Sequence, residues 1–151
     1  MRFWITVALL AVLLLAALWR GGKPERIVAA LLNGAFLLEL GRNLAVGQPT
    51  FRTLDPFMLL VDAAVLAGML AVALQANRLW PMAVAGLQLV ILTGHASLLL
   101  QLKGLAGAYW GMAVLPIYPQ CLLVLAGIAA HARRRARVGP YPDWRRPLAR
   151  G

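Results

Sequence analysis

The stretch FWITVALLAVLLLAALW, residues 3–19, contains no charged side chain and lies between Arg2 and Arg20. A helix that spans a bilayer needs about 20 mostly apolar residues, so this stretch predicts a transmembrane helix. Four further apolar stretches have similar lengths, and they cover residues 27–46, 57–76, 81–102 and 108–130. The sequence therefore predicts an all-α integral membrane protein, a bundle of about five transmembrane helices.

The composition excludes the main alternatives to a membrane protein. Of 151 residues, 62% are hydrophobic and 13% are charged, yet the formal net charge is +10. Soluble domains average about 25% charged and 45–50% apolar residues, and disordered chains lack abundant hydrophobic residues. With Cys121 as the one cysteine, neither a disulfide scaffold nor a cysteine metal cluster can form.

The distribution of basic residues predicts the orientation, because cytoplasmic loops of membrane proteins carry an excess of Lys and Arg. Residues 1–132 would form the bundle, and residues 133–151 a basic tail. With the tail in the cytoplasm, eleven basic residues lie inside and four outside. We therefore expect an outer N-terminus and a cytoplasmic C-terminus, in the cytoplasmic (inner) membrane of a bacterium.

Two alternatives stay open for the first two segments. Residues 1–19 could be a cleaved signal peptide, since Arg2 precedes an apolar core, although no Ala-x-Ala site precedes Arg20. Residues 27–46 contain Glu39 and Arg42, so this segment could dip into the membrane rather than cross it.

Several polar residues inside the predicted spans fall at one depth. A rise of 1.5 Å per residue places Glu39, Arg42, Asp62 and His95 roughly 18–22 Å from the cytoplasmic end of their helices. Gln88 lies seven residues before His95, on the same helix face, and Tyr118 would reach the layer from slightly below. The predicted intramembrane polar layer thus contains Glu39, Arg42, Asp62, Gln88, His95 and Tyr118.

Three interpretations of this layer are open. It could hold helices together, with Arg42 paired to Glu39 or Asp62 and His95 hydrogen-bonded nearby. It could form a proton or ligand pathway, in which the His95 imidazole exchanges protons with a neighbouring carboxylate. A metal site would need a further ligand beside His95, Asp62 and Glu39, such as water or Tyr118. We therefore assign no metal site, and the sequence defines no cofactor.

Two prolines, Pro116 and Pro119, lie in the middle of the last predicted span. Each removes a backbone hydrogen bond, which predicts a bend in the helix. A fixed bend is the favoured interpretation, and a gating kink around Tyr118 is the alternative.

The tail begins with a run of arginines, which predicts contacts with anionic lipid headgroups or with a partner: Arg133, Arg134, Arg135 and Arg137. The next segment, GPYPDW at residues 139–144, could dock on the bundle or on a cytosolic partner. The tail shows no nucleic-acid-binding motif, so nucleic acid is not an expected partner.

The chain shows no catalytic signature: no P-loop, no His-Glu-x-x-His and no dinucleotide fingerprint. We expect a non-enzymatic accessory or structural subunit of a membrane complex, which contacts the bilayer and other membrane subunits or a second copy of itself. The small-residue pair Ala64 and Gly68 permits close helix packing of this kind. The alternatives are a transporter or proton-handling protein that uses the polar layer, and a membrane enzyme with His95 as acid or base.

Overall fold

The computed structural model describes residues 1–47, 54–99 and 106–144, and they form an all-helical bundle. Its helices are α1 Arg2–Arg20, α2 Lys23–Val46, α3 Pro56–Gln75, α4 Trp80–Leu99, α5 Ala106–Val114 and α6 Ile117–Val138. Consecutive helices pack against each other from α1 through to the pair α4 and α5. The last helix, α6, lies against both α1 and α4. The contact of α6 with the first and fourth helices closes the bundle.

Within the described ranges, four helical stretches are long and apolar enough to cross a membrane: Arg2–Arg20, Lys23–Val46, Pro56–Gln75 and Trp110–Val138. They correspond to the first, second, third and fifth predicted spans. The fourth predicted span coincides with α4, which has 20 residues, and its last three residues, 100–102, lie outside the described ranges.

The helices that form the core turn one apolar face inward. In α1, Leu10, Leu13 and Ala17 are buried, whereas Leu15 is 67% exposed and Leu18 is 54% exposed. The inward faces of α1, α2, α3, α4 and α6 join in one core, which includes Cys121 as a fully buried small side chain. Large apolar side chains also cover the outside of the bundle, unlike the surface of a soluble monomer.

The start of α3 follows its sequence signals closely. Asp55 is the N-cap and Pro56 is the first helical residue, as the Asp-Pro pair predicts. One carboxylate oxygen of Asp55 accepts from the backbone N–H of Phe57 at 3.0 Å and of Met58 at 3.4 Å.

Further along α3, Gly68 faces α2, because a Cβ built there would lie 2.9 Å from a methyl of Leu31.

The last predicted span is divided by Pro116. The helix stops at Val114 and restarts at Ile117, and the carbonyl of Leu115 accepts from the N–H of Tyr118 at 3.3 Å. Pro119 has no N–H to donate to the carbonyl of Leu115, four residues before it, and that carbonyl accepts from Tyr118 instead. Both prolines therefore act at the interruption between Val114 and Ile117, Pro116 by lying within it and Pro119 by removing the bond that would cross it.

The helix α6 continues beyond the predicted end of the last span at residue 130, through the arginines to Val138. The predicted boundary between bundle and tail, after residue 132, thus falls inside a helix. Gly139, with φ of 75°, ends α6 and turns the chain back towards the bundle. There Trp144 forms an isolated antiparallel bridge with Ala76, and its side chain packs against the core.

Candidate functional site

Three residues of the predicted polar layer form one hydrogen-bonded group. Nε2 of His95 on α4 lies 2.9 Å from Oδ2 of Asp62 on α3. Gln88 lies about two helical turns before His95 on α4. Its side-chain amide donates to Oδ1 of the same carboxylate at 3.0 Å. Both carboxylate oxygens of Asp62 are therefore engaged by α4, and His95 and Gln88 are buried.

The group extends to α6 through Gln120, a residue that the sequence analysis did not select. The amide nitrogen of Gln120 donates to Oε1 of Gln88 at 3.0 Å and lies 3.4 Å from the carbonyl oxygen of Val84. Gln120 is fully buried. We call Asp62, His95, Gln88 and Gln120 the interhelical polar chain. A glutamine within the apolar sequence around Pro119 and Cys121 was the signal that could have identified it.

Arg42 does not belong to this group, so the predicted pairing with Glu39 or Asp62 was wrong. Its Nη2 lies 2.6 Å from Oδ2 of Asp55, and its Nη1 donates to the carbonyl of Gly47 at 2.6 Å. The long side chain extends towards the end of α2, where terminal carbonyls favour a cation. Arg42 thus connects the end of α2 to the cap of α3.

Glu39 and Tyr118 are not among the residues that the described hydrogen bonds join to the interhelical polar chain. Glu39 is on the exposed surface of the bundle, where the charge of Asp62 repels it and the charge of Arg2 attracts it. The hydroxyl of Tyr118 is 3.3 Å from the hydroxyl of Thr6 on α1. Of the six residues of the predicted layer, Asp62, Gln88 and His95 are therefore hydrogen-bonded together, whereas Arg42 and Tyr118 contact other residues.

A second polar cluster lies at the opposite end of the bundle, where α1, α3 and α6 finish and α2 and α4 begin. Its centre is Arg78, whose Nη1 donates to Oε2 of the fully buried Glu25. Its Nη2 is 2.5 Å from Oδ1 of Asp143 and 2.8 Å from Nδ1 of His131. Arg78 thus joins α2, α6 and the segment after α6. We call Glu25, Arg78, His131, Tyr141 and Asp143 the tail cluster.

The donors of the tail cluster define the state of His131. A guanidinium has only donors, so Nδ1 of His131 accepts from Arg78. The hydroxyl oxygen of Tyr141 lies 2.6 Å from the same nitrogen and accepts from Nη2 of Arg78 at 3.4 Å. In this arrangement Nδ1 carries no proton, and His131 is neutral with its proton on Nε2.

The same cluster caps the start of α2. Oδ2 of Asp143 accepts from the backbone N–H of Lys23 at 3.1 Å, and Oε2 of Glu25 accepts from that of Gly22 at 3.0 Å. Carboxylates at this position are favourable because the first N–H groups of a helix lack partners. A Cβ at Gly22 would lie 2.5 Å from Oδ1 of Asp143, so glycine is needed for this contact.

The sequence analysis missed the tail cluster, although a signal for it was present. Glu25 lies just before the second predicted span, and Arg78 lies between the third and fourth predicted spans. Counting along the helices would have placed Glu25, Arg78 and His131 at the same end of the bundle. Of the two docking alternatives for residues 139–144, contact with the bundle is the one that the structure contains.

Two cavities border these elements. A cleft of about 320 Å³ lies beside the tail cluster. Its lining consists mainly of two glycines and of basic and aromatic residues. An apolar groove of about 310 Å³ lies between α3 and α4. Its lining includes Leu66, Leu70, Leu74, Met82, Gly86 and Leu89.

Within the described part of the chain, no three His, Cys, Asp or Glu side chains are grouped as metal ligands would be. Comparisons with protein-family models, with curated proteins and with solved structures found no match to this chain.

Proposed function

We propose that this chain is a five-span protein of the bacterial inner membrane and serves as a non-enzymatic accessory or structural subunit of a membrane complex. The observation that carries the proposal is the interhelical polar chain. The carboxylate of Asp62 bonds to both His95 and Gln88, and Gln120 joins Gln88 to α6. Polar groups paired in this way hold helices together, and a pathway would instead present them to water.

The orientation, with the C-terminus in the cytoplasm, is supported by where the basic residues gather. Arg26 bonds to the carbonyls at the end of α1, and Arg78 joins the start of α2 to α6. The run Arg133–Arg137 extends α6 at this same end. We call it the basic end, and the positive-inside rule favours its placement in the cytoplasm.

The outer surface supports a membrane and subunit environment. Leu44 is 81% exposed and Leu74 is 73% exposed, and an apolar groove opens between α3 and α4. Lipid chains or the helices of neighbouring subunits would cover such a surface. The anionic lipids of the inner leaflet would contact Arg133, Arg134, Arg135 and Arg137.

The test is to extract tagged full-length protein from its native membrane with a mild detergent and to measure its size. We expect a discrete complex larger than the monomer, with a defined set of membrane subunits whose abundance falls when this chain is deleted. A strictly monomeric protein whose deletion changes no other membrane subunit would contradict the proposal.

The second candidate function, a proton-handling or transport protein, is favoured by one observation, the buried contact between His95 and Asp62. Asp62→Asn and His95→Ala separate the two functions. If the contact is structural, both variants lose folded yield. If it is a proton site, both fold normally and lose a pH-dependent flux in proteoliposomes.

A further inference from the structure

The cleft at the basic end has the features of an anion site. We propose that it binds the phosphate of an anionic phospholipid headgroup, an inference that rests on the membrane orientation proposed above. The cleft has a volume of about 320 Å³, within the range of small-ligand sites. It is formed by the α1–α2 connection, the end of α6 and the returning segment that follows Gly139.

Three cationic side chains line the cleft from two different helices: Lys23 and Arg26 on α2, and Arg135 on α6. All three residues are exposed. Arg26 is held in place, because its Nε bonds to the carbonyl of Gly21 at 3.2 Å and its Nη2 to that of Leu18 at 3.1 Å. A fixed guanidinium together with two mobile cations suits the several oxygens of a phosphate.

The one acid of the cleft does not cancel this charge. Oδ1 of Asp143 is 2.5 Å from the guanidinium of Arg78, and Oδ2 accepts from the backbone N–H of Lys23. Arg78 pairs with both Glu25 and Asp143, so one negative charge of these two acids stays uncompensated. The three cations of the cleft, Lys23, Arg26 and Arg135, exceed it by two positive charges. Its net field therefore favours an anion.

The position of the cleft favours a lipid as the source of the phosphate. Trp19 is 79% exposed and lies under the guanidinium of Arg20 at 4.7 Å, an arrangement typical of the headgroup region. The cleft begins directly after these residues, at Gly21. Leu15 and Leu18 on the adjoining face of α1 are exposed and would contact the acyl chains below a bound headgroup.

The test compares two double variants of the full-length protein with the same change in charge. Lys23→Gln with Arg135→Gln removes two cations of the cleft. Arg133→Gln with Arg137→Gln removes two exposed arginines of the same basic end that do not line it. Binding of phosphatidylglycerol and of phosphatidylcholine to delipidated protein is measured by native mass spectrometry.

We expect wild-type protein to prefer phosphatidylglycerol, and the cleft variant to bind it about fivefold more weakly for each cation removed. The control variant removes two arginines that contact headgroups outside the cleft, so we expect it to weaken the binding of a single phosphatidylglycerol molecule clearly less than the cleft variant does. Equal losses in both variants would show diffuse attraction to the basic end and would overturn the proposal. Equal binding of the two lipids by wild-type protein would also overturn it.

A competition experiment identifies the source of the phosphate. If excess glycerol 1-phosphate leaves phosphatidylglycerol bound, the lipid is the ligand. If glycerol 1-phosphate alone displaces it at equal concentration, the cleft is a site for soluble phosphates and the lipid assignment is overturned. Carbonate extraction of both variants tests membrane insertion separately, because an inserted protein stays in the membrane fraction. A variant that stays in the membrane but loses lipid binding has lost the site and not its insertion.

Discussion

Oδ2 of Asp62 lies 2.9 Å from Nε2 of His95, across the interface between α3 and α4. The side chain of His95 is 4% exposed and that of Asp62 is 21% exposed, so the contact is largely shielded from the surroundings. Gln88 donates to the other oxygen of Asp62, and α4 thereby satisfies the whole carboxylate. A helix interface of this kind has one preferred register, because a shift of either helix would separate these groups.

His95→Ala should destabilise the bundle, because it removes a partner of Asp62 within a buried interface. We expect a loss of about 1–3 kcal/mol in the free energy of unfolding, the usual range for an unsatisfied buried polar group. Reversible unfolding in mixed micelles measures the loss. Thr93→Ala is the matched control on α4, since Thr93 is exposed and its hydroxyl bonds only to the carbonyl of Val90 among the described contacts. Equal stability of both variants would contradict the structural role of His95.

Asp55 has two roles that different substitutions separate, the cap of α3 and the ion pair with Arg42. Asp55→Asn keeps a capping oxygen and removes the charge, so we expect a change of less than about 1 kcal/mol, as for a partly exposed ion pair. Asp55→Ala removes both and should cost about 1–2 kcal/mol. The same unfolding measurement compares them. Equal losses in the two variants would show that the ion pair, and not the cap, is the stabilising contact.

Arg78→Met should be the most destabilising change at the basic end. It leaves the fully buried carboxylate of Glu25 without its ion pair, and breaking a buried pair from one side costs about 3–5 kcal/mol. Adding Glu25→Gln removes the unpaired charge and should restore part of the stability. Thermal unfolding in detergent monitors both variants. A double variant no more stable than Arg78→Met would disprove the assigned role of Glu25.

Gly22→Ala should displace the returning segment from the bundle without unfolding the helices. The new methyl would lie 2.5 Å from Oδ1 of Asp143 and 2.9 Å from Nη2 of Arg78. We expect faster amide exchange at Asn77, whose N–H bonds to the carbonyl of Asp143 at 3.2 Å. Gly34→Ala is the control, because a Cβ at that helical position meets no atom within 4 Å among the described residues. Unchanged exchange at Asn77 would mean that the segment tolerates the methyl.

Depth along the helices was predictable from the sequence, since each helical residue adds 1.5 Å. This counting correctly put Asp62 and His95 at one level. It could not choose the partner of Arg42, because a long flexible side chain reaches several residues along its helix. In the structure the guanidinium of Arg42 extends to Asp55 at the start of α3, and not to Glu39 or Asp62.

The sequence by itself determined where the apolar helices lie and where α3 begins, because apolar runs and Asp55-Pro56 act through local backbone chemistry. Only the tertiary structure decided which polar groups meet. Gln120 joins Gln88, and Asp143 reaches Arg78, across contacts separated by 32 and 65 residues. Such contacts depend on which helices are neighbours and on how each is rotated, and this is set by the packing of all the helices together.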